Sequence, residues 1–308
     1  MKSRDTVWTP ILLAFVFALL YFVGFLPADR LGMDENPYLA VVVLELVIYA
    51  LPALFYCRLR GADFGARLRL RLPKPGHILY LLYAAIFLIG GSALISIGMY
   101  TLFPESFAAG SSEMYTNFAR NAGIFDGLYL VMAFAILPAV TEELLFRGIV
   151  VGSYETMGVT TAVIVSSLAF AMSHFSFVRF PVYFFSGLVL AGAMYATRSL
   201  FASVVIHALN NAFVLFLEKF LLHIADKRSI SMVLFLIIVG FFTLVSAVLM
   251  FMEAGNLYAG YAGENLSSEY VVRRKGGTLP ALAQSVFSPA FLAVVVLFVA
   301  AVIFGVHT

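Results

Sequence analysis

GLYLVMAFAILPAVTEELLFRGIVVG, residues Gly127–Gly152, is long and apolar enough to cross a bilayer, yet it carries Glu142, Glu143 and Arg147. A helix of about 20 largely apolar residues spans the hydrocarbon core. A charged group at the centre of such a run costs about 2.5–3.5 kcal/mol on insertion scales. A chain that keeps three of them in one span must pair them or face them onto a polar cavity. Glu143 and Arg147 stand four residues apart, on one face of a helix, and read as a structural ion pair. Glu142 is turned about 100° away from Glu143 and is left without a basic partner of its own.

The composition outside this stretch says the same about the solvent. Hydrophobic residues make up 62% of the 308 positions and charged residues 12%, against about 25% charged in a soluble domain. Too few polar groups remain to cover a water-facing surface. The net charge of +2 argues against a nucleic-acid partner, and the single cysteine, Cys57, excludes an intrachain disulfide framework. Nine apolar runs predict spans: Val7–Leu26, Tyr38–Cys57, His77–Phe103, Gly127–Gly152, Thr160–Phe177, Phe180–Thr197, Leu200–His223, Ile230–Met252 and Pro289–Val306. Only helices satisfy the backbone of runs this long in lipid. The expected fold is an all-α polytopic transmembrane bundle of about eight or nine spans with an intramembrane cavity. Residues 1–308 form a single unit without repeats, linkers or a signal-peptide cleavage site. Small residues at Gly90, Gly91 and Ser92, and at Ser186, Gly187, Ala191 and Gly192, predict faces where helices approach closely.

Basic residues set the orientation. The loop after the second span holds Arg58, Arg60, Arg67, Arg69, Arg71 and Lys74 against Asp63 alone, whereas the loop before it holds Asp29, Asp34 and Glu35 against Arg30. Short Lys/Arg-rich loops stay in the cytoplasm, which also puts the N-terminus, with Lys2 and Arg4, inside. The loop with Glu105, Glu113, Asp126 and Arg120 then lies outside. The stretch from Glu253 to Ser288, with Arg273, Arg274 and Lys275, reads as a polar cytoplasmic loop. The expected location is a membrane that the chain crosses several times, the plasma or inner membrane if the host is a prokaryote.

Two further spans are interrupted by polar groups. Phe170-Ala-Met-Ser-His174 places a histidine inside the fifth run, and His207-Ala-Leu-Asn210-Asn211 places a histidine and two amides inside the seventh. Phe170 and His174, like His207 and Asn211, share a helix face. Counted from the cytoplasmic turns at about 1.5 Å per residue, Glu142, His174, His207 and Asn211 lie about 10–20 Å deep, in one band. Taken singly, each has an ordinary structural explanation, since histidines and asparagines hold membrane helices together. Together they are what acid–base chemistry on water requires. A glutamate can take a proton from water, a histidine can orient it, and a donor pair can stabilise the oxyanion of a tetrahedral intermediate.

Glu142-Glu143-x-x-x-Arg147, Phe170-x-x-x-His174 and His207-x-x-x-Asn211 resemble, complete and in order, the three motifs of the CAAX-protease and bacteriocin-processing (CPBP) family, which includes the type II CAAX prenyl endopeptidases. The resemblance covers about Gly127 to Phe220, taken here as a catalytic core over 127–220. It implies a glutamate-dependent intramembrane endopeptidase without a metal cofactor. In that reading Glu142 is the general base, His174 assists it, and His207 and Asn211 hold the oxyanion. Glu143 and Arg147 support the site, and Phe170 shapes the cavity. The implied substrate is a membrane-associated peptide, for CAAX-processing members the last three residues of a prenylated protein. Its peptide would come from the cytoplasm and its isoprenoid from the lipid.

Two alternatives remain open on the residues alone. Glu142, His174 and His207 could form a His₂Glu zinc set with water as fourth ligand, although no H-E-x-x-H helix is present. A non-enzymatic immunity or regulatory membrane protein could also hold a buried polar cluster, but it has little use for an unpaired Glu142. Transport is disfavoured because no interrupted helix pair recurs in two halves. Among the other ionisable groups, Glu45 is isolated in an apolar run and is expected to face the bundle interior. Glu218, Lys219, His223, Asp226, Lys227 and Arg228 read as interfacial anchors, and His77 and His307 sit at span edges.

Overall fold

The computed structural model describes residues 5–31, 37–61, 67–109, 124–226, 230–263 and 277–305, and among these every regular element is a helix. Lys2, Arg4, Asp34, Glu35, Asp63, Glu113, Arg120, Lys227, Arg228, Arg273, Arg274, Lys275 and His307, all named above, lie outside the described residues. In chain order the helices are α1 (Asp5–Val23), α2 (Tyr38–Arg60), α3 (Pro75–Leu102), α4 (Gly127–Met157) and α5 (Val159–Ser173). They continue with α6 (Phe180–Thr197), α7 (Leu200–Asp226), α8 (Ile230–Gly263), α9 (Thr278–Val286) and α10 (Pro289–Ile303).

Six of these are long and apolar enough to cross a membrane, and α9 with α10, bent by 64°, could make a seventh span. The apolar parts of α1 and α5 are shorter. At 15 residues, α5 is about 22 Å long, less than the roughly 30 Å of hydrocarbon. Its residues from Ala169 to Ser173 are all buried, so it is solvated by its neighbours and not by lipid.

Two spans are not uniform α-helix. In α2 a widened π-type turn, Leu46–Ala50, precedes Pro52, and in α4 another, Met132–Ile136, precedes Pro138. A proline lacks the N–H for its turn and collides with the carbonyl four residues back, and a widened turn makes room for both. A third, Leu144–Val151, begins directly after Glu143. There Ser166 Oγ on α5 donates to the Phe146 carbonyl at 2.8 Å, satisfying a backbone group across the helix interface.

Side-chain contacts place the helix ends in two groups. At one end Thr9 Oγ1 bonds Tyr56 Oη at 2.8 Å and Ser153 Oγ at 2.7 Å, joining the start of α1 to the ends of α2 and α4. The basic segment between α2 and α3 folds into this end. Leu68 is buried in the core and Arg69 pairs with Glu155 at 2.6 Å. Leu200 N–H donates to the Arg69 carbonyl at 3.0 Å, and Ser199 Oγ donates to that of Arg71. At the opposite end Arg179, between α5 and α6, pairs with Glu218 of α7 at 2.7 Å and donates to the Phe107 carbonyl beyond α3 at 3.2 Å.

The expectation of a loop from Glu253 to Ser288 is corrected. Helix α8 runs on to Gly263, and Thr278–Val286 is helical. At 34 residues, α8 is about 51 Å long, well beyond the hydrocarbon. Its extension is held at the basic end. Tyr261 Oη donates to the Ala196 carbonyl at 3.1 Å and accepts from His77 Nε2 at 3.1 Å, while the Arg198 guanidinium lies 4.0 Å from its ring. His77, which suggested nothing in sequence, is thus a link in that anchor.

The small-residue faces divide. A Cβ at Gly187 would lie 2.8 Å from Ser167 Cα, so α5 and α6 touch backbone to backbone there. Gly90 meets Thr243 of α8, and Gly91 meets the Phe185 ring. Gly192 has nothing within 4 Å of the same test position.

Candidate active site

Helix α4 supplies the acids from the turn between its two widened segments. Glu143 and Arg147 are fully buried. Arg147 Nη1 donates to Glu143 Oε1 at 2.6 Å, Nη2 reaches the Gly187 carbonyl at 3.3 Å, and the guanidinium sits 4.3 Å from the Phe170 ring. The close approach of α6 at Gly187 is what brings that carbonyl within reach.

Glu143 is more than half of a local ion pair. His207 Nδ1, on α7, lies 2.9 Å from the same Oε1. With Arg147 on it, Glu143 is a carboxylate and accepts, so Nδ1 carries the hydrogen. The other ring nitrogen, Nε2, is 3.7 Å from Glu142 Oε2. That separation is too long for a direct hydrogen bond, and Oε2 of Glu142 accepts none among the described residues. The sequence division into a structural pair and a separate polar cluster is therefore corrected: His207 joins the two.

His174 follows the last residue of α5. Its Nδ1 lies 2.9 Å from the Phe170 carbonyl, which can only accept, so Nδ1 is the donor and Nε2 is left as an acceptor. The ring stacks on Tyr183 with centroids 3.7 Å apart and planes 18° apart. Phe170 stands edge-on between the two histidines, 5.0 Å from His174 and 5.5 Å from His207. It fixes their spacing and covers Arg147.

A cavity of about 310 Å³ opens beside this group. His174, His207 and Asn211 line it, with Glu45, Tyr183 and Glu218. Asn211 Nδ2 makes a 3.5 Å bond to the Ala135 carbonyl in the first widened turn of α4. Asn210 Oδ1 is buried and accepts no hydrogen bond from the described residues. Glu142 is not among the lining residues; it is 6% exposed, and His207 links it to the wall.

The inward orientation expected of Glu45 is met, and its partner is Thr141, whose Oγ1 donates to Glu45 Oε2 at 2.7 Å. Glu218, read as an interfacial anchor, instead pairs with Arg179 at the cavity mouth. Sequence reasoning did not find Tyr183 or Arg179, since an aromatic in an apolar run and an arginine at its edge carry no distinguishing signal. Among the described residues no group of three or more His, Cys, Asp and Glu side chains is disposed to hold a metal ion.

Residues 124–213, which contain all three motifs, match the family model described as type II CAAX prenyl endopeptidase Rce1-like. The chain is also similar to the membrane-embedded CAAX protease MroQ of Staphylococcus aureus (strain USA300). The two are 23% identical over 227 residues, which cover 69% of this chain and 90% of that protein. No solved structure gives a significant match.

Proposed function

We propose, from the likeness over residues 124–213 to the CAAX prenyl endopeptidases, that the chain is a CPBP-type intramembrane endopeptidase in which Glu142 activates the attacking water. The observation that carries the reading is the unpartnered Oε2 of Glu142, 3.7 Å from a histidine nitrogen that is itself held by Glu143. A water bonded to both groups, off the line between them, would satisfy each.

The water oxygen attacks the peptide carbonyl carbon as Glu142 takes its proton. The carbonyl oxygen becomes an oxyanion, held by His207 Nε2 and Asn211 Nδ2. With Nδ1 committed to Glu143, Nε2 donates only when His207 is an imidazolium, and Glu143 supplies the counter-charge. In that state Glu142, Glu143, Arg147 and His207 sum to zero charge, which suits a site removed from water. The C–N bond then breaks and Glu142 returns its proton to the leaving amine. His174, stacked on Tyr183 and held by the Phe170 carbonyl, offers its bare Nε2 as a second acceptor that orients the water.

The names of the relatives make a C-terminal CAAX peptide, prenylated or not, the first substrate to test. Purified wild type and Glu142→Gln are incubated with a farnesylated CAAX peptide and its unprenylated control, with and without a chelator. Cleavage by the wild type that survives the chelator and is lost in the variant is expected. Full activity in Glu142→Gln would remove the glutamate mechanism, and chelator loss reversed by zinc would replace it with a metal-dependent one.

A further inference from the structure

One carboxylate beside the cavity has no counter-charge and no part in the reaction proposed above. Glu143 has Arg147 at 2.6 Å, Glu155 has Arg69 at 2.6 Å and Glu218 has Arg179 at 2.7 Å. Glu142 is the base. That leaves Glu45. Among the described residues its partner is a hydroxyl, Thr141 Oγ1, on Oε2; it has no basic partner, and Oε1 accepts no hydrogen bond. The first basic residue after it on α2 is Arg58, thirteen residues on and about 20 Å along the helix. A carboxylate kept out of water without a cation is costly, and this one is kept in the cavity wall.

The cavity is off-centre in the bundle. It touches α2 at Glu45 and α4 at Phe134 and Pro138, in the first half of each helix, and runs along α7 from His207 to Leu222. Two contacts on α4 frame this wall. Asn211 Nδ2 reaches the Ala135 carbonyl at 3.5 Å, and Thr141 reaches Glu45 at 2.7 Å. Ala135 and Thr141 are six residues apart, about 9 Å along the helix, and Glu142 follows Thr141 directly. Glu45 therefore borders the place where a peptide would lie between Asn211 and Glu142.

Hydrolysis makes the charge that Glu45 lacks. The intact amide nitrogen is neutral. When the C–N bond breaks, Glu142 returns to the nitrogen the proton it took from water, and the new carboxylic acid gives up the water's second proton to the amine. The products are a carboxylate and an ammonium, with both hydrogens of the water on nitrogen.

We propose that Glu45 is the leaving-group site, whose carboxylate takes the ammonium of the released fragment, a peptide with a free N-terminal amine, in a charge-assisted hydrogen bond. Thr141 positions that carboxylate. The proposal rests on the protease reading above for the origin of the amine. The selectivity it implies, for a free amine over a blocked one, belongs to Glu45 and is measurable without turnover.

The test uses full-length protein in detergent, wild type and Glu45→Gln, with the farnesylated CAAX peptide as reporter. Two ligands are compared: the tripeptide of the reporter's last three residues, and the same tripeptide with its amine acetylated. Their affinities are read by calorimetry at pH 7, where an α-amino group of pKa about 7.7–8.0 is mostly protonated, and by inhibition of reporter cleavage. Wild type is expected to bind the free tripeptide at least about tenfold more tightly than the acetylated one, and Glu45→Gln to bring the two within about twofold. Acetylation changes only the ligand, so the wild-type comparison decides even if Glu45→Gln does not fold. A purely structural role for Glu45 lowers both affinities together and leaves their ratio unchanged, which overturns the proposal. Reporter cleavage by a wild type that binds both tripeptides equally also overturns it, and keeps the protease reading. A preference for the free amine that is lost in Glu45→Gln, without reporter cleavage, removes the protease reading and keeps Glu45 as an ammonium site.

Discussion

His207 and Glu143 are 64 residues apart in sequence and share one hydrogen bond, 2.9 Å long, that fixes the histidine's tautomer and turns its other nitrogen toward Glu142. The two adjacent acids therefore answer to different perturbations. Glu143→Gln leaves Arg147 buried without the carboxylate it is bonded to at 2.6 Å. The loss of a buried partner costs about 3–5 kcal/mol, so this variant should melt far below the wild type in detergent and be inactive. Equal melting temperatures for Glu143→Gln and wild type would show that the pair does not hold the fold.

Glu142→Gln should behave in the opposite way. The side chain makes no hydrogen bond through Oε2 among the described residues and stands 3.7 Å from His207 Nε2, and the amide is nearly isosteric. Its melting temperature should stay within the shift expected of about 1 kcal/mol. Turnover should fall by about 10²- to 10⁴-fold, the usual contribution of a positioned general base. A parallel collapse of stability and activity would mean that Glu142 is structural.

Tyr183 supports His174 by stacking, at 3.7 Å between ring centroids. Tyr183→Phe preserves the flat face and should retain most activity, whereas Tyr183→Leu lets the imidazole turn and should lower turnover by about tenfold, about 1.4 kcal/mol. Loss in Tyr183→Phe as severe as in Tyr183→Leu would assign the work to the hydroxyl instead of the ring.

Thr141 donates to Glu45 at 2.7 Å inside the bundle. Thr141→Val removes the donor while keeping the shape, and leaves a carboxylate in the cavity wall one bond short. A cost of about 1–3 kcal/mol is expected for such an unsatisfied group. Pairing it with Glu45→Gln should recover part of the loss, and a thermal-melt double-mutant cycle reads the coupling.

Gly187→Ala would place a methyl 2.8 Å from the backbone of Ser167. Because the neighbour is a Cα and not a flexible side-chain tip, α5 and α6 must separate. Overpacking of this kind costs about 1–3 kcal/mol, and the Arg147 bond to the Gly187 carbonyl lengthens with it. The expected result is a lowered melting temperature and reduced turnover; an unchanged melt would show that the interface yields without strain.

How much of this was legible in the sequence depends on the range of the interaction. Glu143 with Arg147 and Phe170 with His174 are four-residue relations, and helix geometry alone specifies them. The inward direction of Glu45 followed from the cost of facing lipid. His207 on Glu143, Tyr183 on His174 and Arg179 on Glu218 are contacts between helices, and they depend on rotations and crossing points that one-dimensional periodicity does not contain. The extension of α8 to Gly263 was missed because Glu253 and Asn256 look like a span boundary, whereas Tyr261 is held from outside the helix by His77 and Ala196. The lopsided cavity was missed for the same reason, since depth counting measures position along a helix and not where neighbouring helices part.

The one-turn spacing of Glu143 and Arg147 also bears on biogenesis. As α4 leaves the ribosome, its arginine already has a neutralising partner within the same helix, so the span can partition into lipid before α5 and the helices after it have been made. His207 is synthesised later, on a helix that docks against an ion pair already formed. The polar centre is thus assembled in stages, with Arg147 never required to wait in hydrocarbon for a distant partner.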